Sequence, residues 1–159
     1  MKASDLERLI FNPNHTSRIL HHFISGAKSV NEKKVIKMEL VYLVLPFIYD
    51  EKVCDKLKNL NKNSKFSSFI ANREFDIFFS GLNNLIKNYK KESKTALIVL
   101  SNHVDLEFGK YLDASSEIHY KNESNSYLRK IYKASYNLGI LLGKERYLTV
   151  FKKLSITEL

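Results

Sequence analysis

The feature that most constrains the fold is a run of large apolar residues, between positions 75 and 89, that are spaced by three and four. This spacing places their side chains on one face of an α-helix for about four turns. The residues on this face are Phe75, Phe78, Phe79, Leu82, Leu85, Ile86 and Tyr89. We expect this helix to pack against the rest of the chain. A charged connection, Lys90–Lys94, and a short helix, Thr95–Leu100, should follow it.

Two further helices are predicted, one near each end of the chain. Asn12 and Pro13 form a typical helix start, because asparagine caps free N–H groups and proline needs no hydrogen-bond donor there. This helix should reach about Lys28. The later helix, for which Gly143 is a C-terminal cap, has these residues at helical spacing: Tyr127, Leu128, Ile131, Tyr132, Ser135, Tyr136 and Leu142.

The segment between the first helix and the phenylalanine-rich helix combines a buried run with polar connections. Met38–Tyr49 is apolar enough to lie in the core, and Pro46 should kink or end a helix there because it removes a backbone donor. A second stretch then runs to about Leu60. Ser29–Lys37 is predicted to be a loop, and Asn59–Lys65 an exposed connection.

A change of period after Asn102 predicts a β-hairpin. Val104, Leu106 and Phe108 alternate with polar residues, and Gly109 permits a turn before the next strand. Two helices followed by a hairpin have the order of a winged helix, over about residues 73–113. The predicted fold class is therefore mainly α with a short β-hairpin, in one domain over residues 1–159.

The balance of charge is basic, with 26 Lys and Arg against 17 Asp and Glu, a formal charge of +9. Such a field attracts phosphates or an acidic protein surface, although a bias in genome composition would also raise the lysine count. One group of cations brackets the end of the phenylalanine-rich helix and a second lies on the later helix, and we predict that they either form a solvated face or contact the DNA backbone. They are Lys87, Lys90, Lys91, Lys94, Arg129, Lys130 and Lys133.

The sequence has no recognisable catalytic or cofactor-binding motif. No glycine-rich loop for nucleotide phosphates occurs, so we expect neither ATP binding nor hydrolysis. The adjacent His21 and His22 would point about 100° apart on a helix, so we expect one to face the core and one to face solvent, with no metal bound. Cys54 should be a plain buried thiol, and Asp105 and Glu107 the wet side of the hairpin.

A metal-dependent nuclease is a weaker interpretation of the same residues. Glu92 and Lys94, with Asp76 upstream, have a spacing found in some nuclease sites. The spacing recurs at Glu32 and Lys34, however, and both copies fall in predicted loops. We therefore expect a chance match.

Cysteine use and hydropathy predict a cytoplasmic protein. Cys54 is the one cysteine, and no charged leader with a cleavage site begins the sequence. The longest apolar run, Met38–Tyr49, is about half of what a membrane span requires.

Several short strings, in the same order along nearly the whole chain, carry a resemblance to a known family. They are Phe11–Pro13, His21–Phe23, Tyr42–Pro46, Phe108–Leu112, Leu138–Gly139 and Thr149–Ile156. With them the chain resembles the middle components of bacterial three-component ABC-type systems. This group includes the accessory subunit of Lamassu anti-phage and anti-plasmid defence.

The resemblance implies a non-catalytic adaptor that links an SMC- or Rad50-like ATPase to an effector, often a nuclease, in response to foreign DNA. The alternative is a winged-helix DNA-binding regulator that acts alone. A regulator needs exposed polar side chains to read base edges. The candidate recognition helix Thr95–Leu100 is apolar, and the chain has no glutamine, so the adaptor is preferred.

The C-terminal segment Tyr147–Leu159 carries apolar residues within an otherwise charged end. They either close the core or dock on the ATPase. We prefer closure of the core, because the resemblance extends through this segment and Thr149–Leu154 has helical spacing. The residues in question are Leu148, Phe151, Leu154 and Ile156.

Overall fold

The computed structural model describes residue 8 and residues 10–159. The α-helices of this part are α1 Pro13–Val30, α2 Val44–Tyr49, α3 Glu51–Lys58, α4 Phe66–Ile70, α5 Asp76–Ser80, α6 Leu82–His103, α7 Ser126–Gly143 and α8 Tyr147–Lys153. Short 3-10 helices lie at Met38–Leu43, Arg73–Phe75 and Tyr120–Asn122. The strands are β1 Leu106–Phe108 and β2 Leu112–Ala114. The predicted fold class, mainly α with a short β-hairpin, is confirmed.

The hairpin is antiparallel and joins the segment that follows α1. Leu106 pairs with Ala114 and Phe108 with Leu112. On its other side, the Leu112 N–H donates to the Ile36 carbonyl at 2.7 Å. Since Leu112 and Ile36 are both buried, this bond fixes the loop after α1 against the hairpin.

The start of α1 forms as predicted. The Asn12 side chain accepts a hydrogen bond from the Asn14 N–H at 2.9 Å, and Pro13 is the first helical residue. The helix continues to Val30, slightly beyond the predicted end. Local chemistry is enough here, because the cap and the proline satisfy the first turn without any tertiary contact.

Helices α1 and α7 form the centre of the fold, with their backbones in contact at glycines. A Cβ atom on Gly26 would overlap the Tyr136 carbonyl oxygen, and one on Gly139 would overlap the Phe23 carbonyl oxygen. The buried Ser135 hydroxyl donates to the Ile19 carbonyl at 2.7 Å across the same crossing. The absence of side chains at these glycines therefore sets the distance between the helices.

The bend predicted at Pro46 lies at Asp50 instead. Pro46 is the third residue of α2, in the first turn, where its missing N–H costs no helical hydrogen bond. Asp50 has an extended backbone, with ψ 117°, and its carboxylate accepts from the Val53 N–H at 2.9 Å. The extended backbone of Asp50 ends α2, and its side-chain cap begins α3.

The predicted helix boundaries between residues 75 and 100 are wrong. The phenylalanine-rich segment is divided at Gly81 into α5 and α6, whereas Lys90–Lys94 is helical and lies inside α6. Ser93, Ala96, Leu97 and Leu100 are buried and continue the apolar face through the charged segment. Lysine and glutamate are good helix formers, so charge alone does not indicate a loop.

The winged-helix-like segment over residues 73–113 stays a prediction. Its order of two helices and a hairpin is present as α5, α6 and the strands β1 and β2, but the predicted second helix, Thr95–Leu100, is the end of α6 rather than a separate element.

Buried apolar side chains form one cluster that extends from Ile19 in α1 to Leu154 after α8. An aromatic group lies within it, in which the Phe47 ring is 5.0 Å from that of Phe78 and 6.2 Å from that of Phe69. In the part of the chain that the structure describes, no helix is both long and apolar enough to cross a membrane.

Candidate interaction surfaces

Three of the predicted DNA-contacting lysines form a row on α6. Lys87, Lys91 and Lys94 are exposed and, at intervals of four and three residues, lie on one face of the helix. Ile98, which is 63% exposed, continues this face. Lys90 instead points towards the chain end, where its ammonium donates to the Leu159 carbonyl at 2.6 Å. We call Lys87, Lys91 and Lys94 the α6 row.

The predicted cations of α7 each have a protein partner. Lys130 forms an ion pair with Asp55, whose oxygen is 2.6 Å from the ammonium. The hydrogen bonds from Lys130 and Lys58 lower the pKa of Asp55. Arg129 donates from Nε to the Glu123 carbonyl at 2.7 Å, and the Lys133 ammonium lies 6.0 Å from the Tyr120 ring centroid. These contacts connect α7 to its neighbours.

The C-terminal residues predicted to meet a partner have different environments. Leu154 is buried, and Phe151 and Ile156 are half-buried against the core. Leu148 is 64% exposed. The end of the chain is also held to α6, because the Asn83 side chain accepts from the Thr157 N–H at 3.1 Å and donates to the Ser155 carbonyl at 3.0 Å.

Both adjacent histidines are buried, so the expectation that one faces solvent is wrong. His21 donates from Nε2 to the Ser116 carbonyl at 2.7 Å, because the segment after β2 covers this side of α1. The His22 ring is stacked on Tyr132 at 4.4 Å, and its Nδ1 donates to the Arg18 carbonyl at 2.8 Å. Burial lowers the pKa of His22 to about 4. The covering segment is distant in sequence, and no local signal predicts it.

The other candidate catalytic groups occupy separate positions. Cys54 is buried, and burial raises its pKa to about 11. Asp105 and Glu107 are exposed, as expected for the wet side of the hairpin. Glu92 and Lys94 lie two positions apart on α6 and therefore point about 200° apart. Among residues 8 and 10–159, no group of three or more His, Cys, Asp or Glu side chains could hold a metal ion.

A cleft of about 600 Å³ lies where three segments that are distant in sequence meet. They are the segment after α1, the hairpin turn, and the connection from the end of α7 to the start of α8. Its lining includes the buried residues Val35, Ile36, Leu40 and Leu142. Its basic lining residues are Lys34, Lys37, Lys110, Lys144 and Arg146, and Glu145 is its acidic one. We call this site the basic cleft.

Two of the five cations in the basic cleft are held by neighbouring groups. The Lys37 ammonium lies 4.8 Å from the Tyr111 ring centroid and 5.3 Å from that of Tyr147. Lys144 donates to the Lys62 and Ser64 carbonyls at 2.8 and 2.6 Å. The remaining three, Lys34, Lys110 and Arg146, are exposed at the rim. Sequence reasoning missed this site, because each segment contributes only one or two of its cations.

The chain matches the family model of the ABC-three component (ABC-3C) system Middle Component 3 over residues 1–158. The chain belongs to this family. The predicted resemblance to middle components of three-component ABC-type systems is thereby confirmed. Comparison with curated proteins and with solved structures gave no match.

A Middle Component 3 protein is one part of a system of several components, so it has partner proteins. Besides the α6 row and the basic cleft, this member has a groove of about 550 Å³ whose charged lining residues are Asp50, Glu51 and Glu74, with Lys52 as the basic one. Ile77, on the same groove, is 88% exposed. None of these three surfaces shares a lining residue with another.

Proposed function

We propose that this chain is a non-catalytic adaptor that links an SMC- or Rad50-like ATPase to an effector such as a nuclease. The complex would be a Lamassu-type defence system that responds to foreign phage or plasmid DNA. The match to Middle Component 3 over residues 1–158 carries the proposal, because a middle component works with other proteins of its system. Its separate basic and acidic surfaces offer more than one partner a place to bind.

The environments of the candidate catalytic side chains support a non-catalytic role for the chain. His21 and His22 are buried and bonded to backbone carbonyls, and the pKa of Cys54 is raised by burial. A general base or a nucleophile instead needs an accessible group whose pKa lies near the working pH.

Co-expression with the ATPase and effector components of the same system tests the adaptor. We expect the three proteins to co-elute in size-exclusion chromatography, and the ATPase and effector to elute separately when this chain is omitted. A stable ATPase–effector complex without the chain would contradict the bridging role. Saturable ATP binding by the purified chain in calorimetry would contradict the proposal that the adaptor is non-catalytic.

A second candidate function, nonspecific contact with the DNA backbone, is favoured by the α6 row. Three exposed lysines on one helix face can neutralise phosphates without reading bases. We expect affinity for unrelated duplexes to fall steeply with salt, and Lys87→Glu/Lys91→Glu/Lys94→Glu to weaken binding to all of them alike. Strong preference for one short duplex would favour the stand-alone regulator instead. Its candidate recognition segment, Thr95–Leu100, contains three buried residues.

A further inference from the structure

We infer that the basic cleft is the docking site for an acidic segment of a partner protein that carries a large apolar side chain, such as leucine, between its acidic residues. The inference rests on the proposed function, because the segment would belong to another component of the same system. It specifies the chemistry of that partner and the place where it binds.

The charge of the basic cleft selects an acidic partner. Five basic residues line it with a single acidic one, Glu145. The ion pairs formed within the described part of the chain join other residues: Arg18 with Glu123, Lys28 with Asp113, and Asp55 with both Lys58 and Lys130. The exposed Lys34, Lys110 and Arg146 thus keep their charges available for carboxylates from outside.

The apolar part of the cleft indicates that the ligand carries an apolar side chain as well as acidic groups. Val35, Ile36, Leu40 and Leu142 contribute to the lining, and Leu148 is 64% exposed beside them. Burial of one leucine side chain there would strengthen binding at least about tenfold. A volume of about 600 Å³ is in the range of sites that enclose a ligand's side chains, and larger than a single phosphate needs.

The arrangement of the two tyrosines favours a protein over a single-stranded nucleic acid. Stacking of bases requires an open aromatic face. The ammonium of Lys37 lies over the rings of both Tyr111 and Tyr147, where it covers a face of each. Lys144 is likewise held by the Lys62 and Ser64 carbonyls rather than extended towards a backbone.

The test uses a fluorescein-labelled peptide of alternating glutamate and leucine, and fluorescence anisotropy of the full chain. The cleft variant is Lys34→Glu/Lys110→Glu/Arg146→Glu. The matched control is Lys56→Glu/Arg73→Glu/Lys121→Glu, which changes the net charge equally at exposed positions outside the cleft and the α6 row. We expect the cleft variant to bind the peptide at least about tenfold more weakly than wild type, and the control variant to stay within about twofold.

A second set of measurements tests whether binding requires the apolar side chain of the peptide. A peptide with serine in place of leucine should bind about tenfold more weakly to wild type, and Leu148→Ser should weaken binding of the leucine peptide. Thermal unfolding of each variant establishes that it is folded. The milder Lys34→Gln/Lys110→Gln/Arg146→Gln replaces the cleft variant if charge reversal prevents folding.

Three outcomes would overturn the inference. The first is no binding of the peptide by wild type, and the second is equal weakening by the cleft and control variants, which would reflect net charge alone. The third is tight binding of a single-stranded oligonucleotide that the cleft variant alone abolishes, because the site would then take nucleic acid.

Failure of the inference can be told apart from failure of the adaptor. When the cleft variant is co-expressed with the other two components, loss of one partner supports the docking site. Assembly at the wild-type level would contradict the docking site and leave the adaptor intact. If wild type itself does not bridge the partners, the adaptor is wrong, and the peptide assay still tests the chemistry of the cleft.

Discussion

Two buried polar side chains carry the clearest consequences at the scale of single residues. The first is Asn137 of α7, which is 6% exposed. Its side-chain amide donates to the Leu57 carbonyl at 2.9 Å and to the Leu60 carbonyl at 3.1 Å. The Leu57 carbonyl lies in the last turn of α3 and also accepts from the Leu60 N–H at 3.1 Å, and Leu60 itself comes two residues after the helix ends. One side chain of α7 therefore holds the end of a helix that is distant in sequence.

Asn137→Ala should lower the free energy of unfolding by about 2 kcal/mol, because it removes the hydrogen bonds of a buried amide and takes that donor away from the Leu60 carbonyl. Asn137→Asp should lower the free energy of unfolding further, since a carboxylate cannot donate a hydrogen bond to these carbonyls. Urea denaturation followed by circular dichroism measures both. Asn88→Ala, at an exposed α6 position, is the control and should stay within about 0.5 kcal/mol of wild type. A wild-type midpoint for both Asn137 variants would contradict the capping role.

The second residue is His22, whose buried ring should make stability depend on pH. Its pKa is lowered from 6.5 to about 4, mainly by burial, and the unfolded chain therefore binds the proton first as pH falls. The stability that neutral His22 provides is fully present above pH 6.5 and is lost as pH falls towards 4.

His22→Phe, which keeps a ring against Tyr132, should reduce this pH dependence. Between about pH 8 and about pH 4.5, wild type should lose roughly 2 kcal/mol more than the variant. Urea denaturation at the two pH values checks the difference, and the higher pH, where the histidine is neutral in both states, is the reference. If the wild type and the variant lose the same free energy of unfolding between the two pH values, His22 is excluded as the source of the pH dependence.

At the scale of elements, the α1–α7 crossing depends on glycine, and α6 depends on burial along its full length. Gly26 and Gly139 allow the two backbones to touch. The charged residues 90–94 stay helical because the buried Ser93 and the apolar residues after it extend the face of α6 that meets the core. The sequence prediction treated the charge as a break, which is wrong because exposed lysines are compatible with a helix whose other face is buried.

Gly139→Ala should destabilise the protein by about 3 kcal/mol or prevent folding, because the new methyl group would overlap backbone atoms of Phe23 and Ala27. Backbone cannot move aside as a flexible side chain can. Gly109→Ala is the control, because the nearest atom to its Cβ would be 4.0 Å away. Thermal unfolding compares the two variants, and equal midpoints would show that the helices can separate without cost.

At the scale of the whole molecule, the C-terminal segment closes the core and also forms one wall of the basic cleft. Val150 and Leu154 belong to the central apolar cluster, whereas Leu148 points to the cleft side, where it lines the cavity. The structure thus gives different environments to residues that the sequence treated as a single group.

A chain that ends after Arg146 should lose cooperative folding, because it exposes the apolar surface that α8 covers. Thermal unfolding and size-exclusion chromatography measure the loss. A chain that ends after Ile156 keeps α8 and is the control, which should fold with a modestly lower midpoint. If the shorter chain folds normally but no longer assembles with the proposed ATPase partner, docking rather than closure of the core is the role of this segment.

Local chemistry in the sequence was sufficient for the start of α1, the β-hairpin and the mainly helical class, because caps, turns and periodicity act between residues close in the chain. The order of short strings also indicated the family of middle components, which the match over residues 1–158 confirmed. Of the candidate surfaces, the sequence predicted the lysines of the α6 row but not which of them are exposed. The continuity of α6, the burial of both His21 and His22, and the basic cleft were decided by tertiary structure. Each of them depends on which distant segments cover a given face, and that is fixed by packing around the α1–α7 crossing rather than by any local pattern.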